Sequence, residues 1–199
     1  MQPSRRERHQ NNRMSEKVIL NGLQKGRREA LGLLWQAHSS HVLNLAFRML
    51  KDRDQAEDTL MDVFVQVPSA IQKFRGESSL GTWLFRLTVN ACLMKLRAEK
   101  RHSELEDKNL ETIVENAIGH GFEPEKPTNF DPELLEKSLG ELSAETRSML
   151  WLKDAEDLDV KDLAEIYGMP EGTVKARLSR ARHFVKDYIK EKLNHAKRN

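Results

Sequence analysis

Apolar residues return every third or fourth position along most of the chain. Leu31, Leu34, Trp35, His38, Val42, Leu45, Ala46 and Met49 keep that interval, as the buried stripe of an amphipathic helix requires. Lys51-Asp52-Arg53-Asp54 interrupts it. A second helix is predicted over about 54–67, with Ala56, Leu60, Val63, Phe64 and Val67 on one face. Pro68 is expected to end or kink it, because proline lacks the N–H donor and its ring crowds the preceding turn. Phe74-Arg-Gly-Glu-Ser-Ser79 has the composition of a loop. A third helix is predicted from Leu80 to about Lys100, with Leu84, Leu87, Ala91 and Met94 on one side.

The periodicity lapses over 103–131, which holds Gly119, Gly121, Pro124 and Pro127 and leaves room for one short helix near 110–118. It resumes at Pro132 and persists to about Leu193. No run alternates with the period of a useful strand, and no internal repeat is visible. The pattern predicts an all-α fold of two small helical domains, 15–102 and 132–193, joined by an acidic flexible linker at 103–131. Residues 1–14 are polar and aperiodic and are expected to form a disordered basic tail, with a second short tail at 194–199.

Charge sharpens this division. The net charge of +2 conceals segments of +5 over 71–102, −8 over 103–136, −4 over 137–170 and +6 over 171–199. A single basic block is ordinarily a solvated helix face. Two of them, on separate helical units, favour a polyanion such as nucleic acid. Cys92 is the only cysteine, which excludes intramolecular disulfides and cysteine-cluster zinc sites. No apolar run approaches the ~18 residues of a membrane span, and Met1–Arg13 lacks a signal-peptide core. A reduced, cytoplasmic setting is the expectation.

The most informative stretch spans Asp159 to Arg182. Val160, Leu163 and Ala164 suit a short amphipathic helix. Gly168 supplies the backbone freedom of a sharp turn, and Pro170 suits the first turn of the helix that follows. Val174, Leu178, Ala181 and Val185 then share one face. At ~100° per residue, Gly172, Thr173, Ala176, Ser179 and Arg180 lie opposite, flanked by Lys175, Arg177 and Arg182. This is a helix-turn-helix. Small residues let its second helix approach a groove. Thr173 can reach a phosphate or base edge, Arg180 has the fork that reads guanine, and Lys175, Arg177 and Arg182 would neutralise flanking phosphates. A generic helical hairpin explains the apolar stripe equally well, but not the Gly-Met-Pro turn with small and basic residues opposite.

On the second predicted helix, Asp54, Asp58 and Asp62 step by four, with Glu57 beside them. This acidic stripe is either solvated surface or a docking strip for a basic partner. Acid–base or metal chemistry is disfavoured, since no histidine or nucleophile accompanies a stripe that is linear rather than convergent. His38 and His41 are three apart on a helix, a spacing compatible with metal, but packing is the preferred reading. On the third helix Arg86, Asn90 and Arg97 can share an exposed side. Aromatics beside basic residues suit single-stranded nucleic acid. Trp83 and Phe85 are alternatively core residues, and for Trp83 the core is preferred. No nucleophile–base pair, metal constellation or phosphate-cradling loop is present, so enzymatic activity, a cofactor and a small-molecule substrate are not expected.

Taken together, Asp54-Gln-Ala-Glu-Asp58, Phe74-Arg-Gly-Glu-Ser-Ser79, Thr82-Trp-Leu, Asn90, Arg97, Leu142-Ser and Gly172-Thr-Val-Lys-Ala-Arg-Leu-Ser-Arg-Ala-Arg182 resemble the extracytoplasmic-function (ECF) group of bacterial sigma-70 factors. The resemblance covers about 24–101 and 132–190. It implies that the first block is a region 2 domain, with Asp54, Glu57, Asp58 and Asp62 docking on core RNA polymerase. The loop Arg75, Gly76, Glu77, Ser78, Ser79 and Leu80 would capture an unstacked base of the minus-ten element, assisted by Arg86, Asn90 and Arg97. The second block would be region 4, reading the duplex at the minus-thirty-five element through Thr173, Lys175, Ala176, Arg177, Ser179, Arg180 and Arg182. The linker would thread toward the polymerase active-site channel. An anti-sigma partner, often membrane-anchored in this group, would hold both domains until a signal arrives.

Some positions depart from the family pattern. Met94 sits where Asp or Asn is usual, Ala176 where Ser is frequent, and Pro68 is expected to shorten the second helix. The implied function is promoter recognition and strand opening for RNA polymerase. The alternative is a helix-turn-helix regulator or sigma-like adaptor that does not melt promoters.

Overall fold

The computed structural model describes residues 16–106 and 132–196. Their elements, in order, are α1 (16–24), α2 (Arg28–Leu50), α3 (Arg53–Ala70), a single tight turn at Ile71–Lys73, α4 (Leu80–Glu106), α5 (Pro132–Gly140), α6 (Ala144–Asp154), α7 (Val160–Tyr167) and α8 (Glu171–Ala196). No strand occurs among the described residues. The all-α expectation holds. The chain divides between Glu99 and Lys100, within α4, into two compact units. The tail at 1–14 and the short helix expected near 110–118 lie outside the described residues.

In the first unit α2 packs on α3, and α1 and α4 complete one core. Ile19, Leu23, Leu34, Val42, Val63, Phe64, Val67, Ile71, Trp83 and Leu84 belong to it. The apolar positions expected on α3, from Ala56 to Val67, are all buried. The preferred reading of Trp83 is correct: it is 3% exposed, and its ring centroid lies 5.4 Å from that of Phe74. Trp35 stays at the rim, partly exposed, with its ring centroid 4.7 Å from that of Phe64 in an edge-to-face arrangement. Close approach of α1 to α2 depends on Gly22, where a Cβ would stand 2.6 Å from the Ala30 Cβ.

Three boundaries differ from the sequence expectation. Pro68 neither ends nor shortens α3, which continues to Ala70. A proline this near the C-terminus deprives only one carbonyl of its bond, and the ladder resumes at once with the Ile71 N–H donating to Val67 O. Helix α4 runs past Lys100 to Glu106, so the first residues assigned to the linker are helical. Helix α8 likewise continues beyond Leu193 to Ala196.

In the second unit α8 is the axis against which α5, α6 and α7 pack. Met149, Leu152, Leu163 and Val174 are fully buried, and Ile166, Leu178 and Ala181 nearly so. Arg147 is buried too, and its Nη1 donates to the carbonyls of Leu139, Gly140 and Leu142 at 3.4, 3.4 and 3.1 Å. It thereby satisfies acceptors that the end of α5 leaves without intrahelical donors. Ser148 and Tyr167 share a 2.7 Å hydrogen bond joining α6 to α7.

Candidate nucleic-acid interface

The turn between α7 and α8 is built as its residues require. Gly168 closes α7 at φ +63°, ψ +36°, its N–H bonded to Ala164 O, and Met169 N–H bonds the same carbonyl. A side chain at Gly168 would meet nothing within 4 Å, so the need is for the left-handed backbone rather than for space. Helix α8 starts at Glu171, and the Pro170 carbonyl accepts from Val174 N–H at 3.1 Å. Pro170 is thus the N-cap, one position ahead of the first-turn place expected for it.

Helix α8 sorts its residues by face. Val174, Leu178 and Ala181 are buried, while Gly172, Thr173, Lys175, Ala176, Ser179 and Arg180 are exposed. The Lys175 ammonium lies 4.0 Å from Glu171, a loose pair across one turn. Arg180 Nε makes a long 3.4 Å bond to the Ala176 carbonyl of its own helix. Arg177 and Arg182 are held differently. Arg177 Nη1 donates to Glu145 Oε2 at 2.9 Å, and Arg182 Nη2 to Asp154 Oδ1 at 2.6 Å. Both acids belong to α6. His183, which the sequence reading passed over, is bonded through Nδ1 to Ser179 O at 3.0 Å. A carbonyl can only accept, so Nδ1 carries the proton.

In the first unit Asp54, Glu57, Asp58 and Asp62 are all exposed on α3. Glu57 pairs with Arg53 at 2.8 Å and Asp62 with Lys95 at 3.5 Å. Met61 and Val65, 55% and 75% exposed, fall within the same face at ~100° per residue. The strip is therefore acidic along its length, with two exposed apolar residues flanking Asp62 in its second half, which sequence periodicity could have shown. Between α3 and α4, Gln55 Nε2 donates to Glu99 Oε1 at 2.7 Å, and Lys95 Nζ reaches Gln55 O at 3.5 Å.

The loop before α4 carries Arg75, Gly76 and Glu77 exposed and Ser78 half-buried, with Gly76 at φ +73°. Ser79 Oγ accepts the Thr82 N–H at 3.0 Å and so caps α4. Leu80 requires a correction. It is 2% exposed and part of the core, so its side chain cannot meet a base. Arg86 is half-buried, Asn90 and Arg97 are exposed, and the three fall within about 40° on α4. Met94 is 68% exposed near that row. Cys92 is fully buried, and desolvation pushes its thiol up to about 12, against the opposing charge of Lys95. It is an inert thiol. Among the described residues no three His, Cys, Asp or Glu side chains converge as a metal site would need, and no helix is long and apolar enough to cross a membrane.

Residues 34–102 match the family model for Sigma-70 region 2, and residues 133–184 match that for Sigma-70, region 4. The ECF RNA polymerase sigma factor SigM of Mycobacterium tuberculosis is 30% identical over 163 residues, covering 79% of this chain and 76% of that protein. The chain belongs to the ECF group of sigma-70 factors. The ECF RNA polymerase sigma-E factor of Haemophilus influenzae is 29% identical over 185 residues, or 88% of this chain and 96% of that protein. Two solved structures share the fold. One is the sigma factor RpoE in complex with the anti-sigma factor NepR from Bartonella quintana, with TM-score 0.62 and 24% identity over 80% of this chain and 96% of that one. The other is CnrH in complex with the cytosolic domain of CnrY, with TM-score 0.63 and 17% identity over 89% and 98%.

Region 2 of this ECF factor thus holds the acidic strip, the loop and the basic row of α4, and region 4 holds the helix-turn-helix. Sequence reasoning missed the four residues that fasten region 4: Arg147, Glu145, Asp154 and Tyr167. Glu145 and Asp154 read only as members of an acidic segment, and no local spacing links either of them to α8.

Proposed function

We propose that this ECF factor binds core RNA polymerase, directs it to promoter DNA and favours strand opening. The α8 face of Thr173, Lys175, Ala176, Ser179 and Arg180 reads the upstream duplex element. Small side chains at Ala176 and Ser179 admit the helix to the major groove. Arg180 offers a bidentate contact to a base edge, and Lys175 a phosphate contact. Asp54, Glu57, Asp58 and Asp62 dock on the polymerase. Arg75, Gly76, Glu77 and Ser78, with Ser79 fixing the start of α4, take an unstacked base of the opened strand, beside Arg86, Asn90 and Arg97. Flipping a base costs a few kcal/mol, so binding that favours the open strand supplies the work without nucleotide hydrolysis. An anti-sigma protein is the proposed regulatory partner, as in both solved relatives, and the proposed setting is the cytoplasm.

The observation that carries this reading is the partition of α8: a buried stripe at Val174, Leu178 and Ala181 and, opposite it, an exposed face of small and basic residues behind a glycine turn. Run-off transcription with core polymerase tests it, on DNA taken from upstream of the gene for this chain. A transcript that requires the factor and starts at one site is the expected result. Unchanged start-site choice would overturn the reading. Transcription from a pre-melted template but never from duplex would instead make the chain a sigma-like adaptor.

A further inference from the structure

The shoulders of α8 carry an arrangement that groove reading does not use. At ~100° per residue, Arg177 and Arg182 lie roughly 60–75° to either side of the buried stripe, Arg177 well away from Ala176 and Ser179 and Arg182 about midway between the stripe and Ser179. Each guanidinium is engaged by an acid of α6. The Arg177–Glu145 pair spans 2.9 Å with both side chains about two-thirds covered, at 32% and 31% exposure. The Arg182–Asp154 pair spans 2.6 Å and is more open, at 43% and 55%. Glu145 sits in the first turn of α6 and Asp154 is its last residue. One short helix therefore holds α8 through two acids about two and a half turns apart along α6.

Lys175 and Arg180 contrast with these. Lys175 is 65% exposed and only 4.0 Å from its nearest acid, and Arg180 leans on its own backbone. Each guanidinium commits one N–H to its carboxylate and keeps others, but the pair as a whole carries no net charge, so a phosphate brought to it meets the acid's repulsion together with the arginine's attraction.

We propose that Glu145 and Asp154 are positioning residues for promoter reading. Through Arg177 and Arg182 they set the angle at which the Thr173–Arg180 face meets the groove, and these two arginines add nothing to phosphate neutralisation. This inference rests on the DNA reading proposed above and reassigns two residues expected to touch phosphate.

The test uses the full chain with core polymerase and the promoter duplex that this complex selects from a random pool. Arg177→Glu lowers affinity about tenfold, and Glu145→Arg in the same chain restores most of it. Arg177→Gln leaves the slope of log affinity against log salt at its wild-type value, whereas Lys175→Gln reduces it by about 1. Glu145→Gln weakens binding. The proposal is overturned if Glu145→Gln tightens binding, if Arg177→Gln lowers the salt slope, or if the charge exchange restores nothing. Should the first pair not tolerate reversal, Arg182→Glu with Asp154→Arg makes the same measurement at the more exposed site. If the wild type selects no duplex, the proposed function fails. The midpoint of thermal unfolding then decides the pair: recovery in the exchanged chain upholds the contact, and no recovery ends the proposal.

Discussion

Three of the four region 2 helices have 23, 18 and 27 residues, whereas three of the four region 4 helices have 9, 11 and 8. Long helices lay continuous apolar stripes against one another, and the resulting core, from Ile19 to Leu84, fixes their placement. Interhelical polar contacts there, such as Gln55 to Glu99 and Lys95 to Asp62, stay at the rim. The buried threonines Thr59 and Thr88 only bond back to carbonyls of their own helices. Short helices bury fewer apolar groups and leave a larger share of their backbone ends unsatisfied. Region 4 answers with directional contacts: Arg147 on three carbonyls, Ser148 on Tyr167, and Arg177 and Arg182 of α8 on α6. Non-directional burial suffices to position a broad docking strip. A helix that must read base edges to within a fraction of an ångström needs fixed donors and acceptors behind it.

This contrast can be broken at its strongest point first. Trp83→Ala removes the largest ring from the region 2 core and is expected to cost about 3–5 kcal/mol, read as a fall in unfolding free energy in urea. A cost below about 1 kcal/mol would mean that the core does not depend on that packing. In region 4, Arg147→Met keeps the aliphatic stem and removes the guanidinium donor that reaches the carbonyls of Leu139, Gly140 and Leu142, with an expected loss of about 1–3 kcal/mol. Unchanged or raised stability would show that the stem alone matters.

The reading face supplies the next test. Arg180→Ala should cost about 1–3 kcal/mol at one base pair of the upstream element and relax specificity there, measured by binding to single-base variants of the duplex. A loss uniform across sequences would reassign Arg180 to phosphate. The smallest expected effect is at the start of α3, where the Asp52 carboxylate accepts the Gln55 N–H at 3.0 Å. Asp52→Ala should cost about 1 kcal/mol by the same urea titration, since a cap acts locally in either unit.

Much of the site was legible because it depends on local spacing. The α8 partition follows from the positions of Val174, Leu178 and Ala181, and the acidic row of α3 from Asp54, Asp58 and Asp62. Misreadings arose where a local rule met its context. Pro68 is expected from sequence to end or kink α3, but it falls where the helix has few bonds left to lose. Leu80 was read as part of a strand-capturing loop, but it is the first residue of α4 and faces the core. Ser79 looked like a contact residue, and its hydroxyl is committed to capping the helix.

Composition and periodicity by themselves determined that this chain is helical, that its apolar residues divide into two sets separated by an acidic stretch, and which residues of α8 face away from the core. Those properties are set by neighbours three or four positions apart, and a single chain displays them directly. Only the tertiary structure decided which charges are free to act. Arg177 and Glu145 are 32 positions apart, and Arg182 and Asp154 are 28. Whether such a guanidinium meets a carboxylate or a phosphate depends on where another helix is brought to rest, a distance in space that spacing along the chain does not encode.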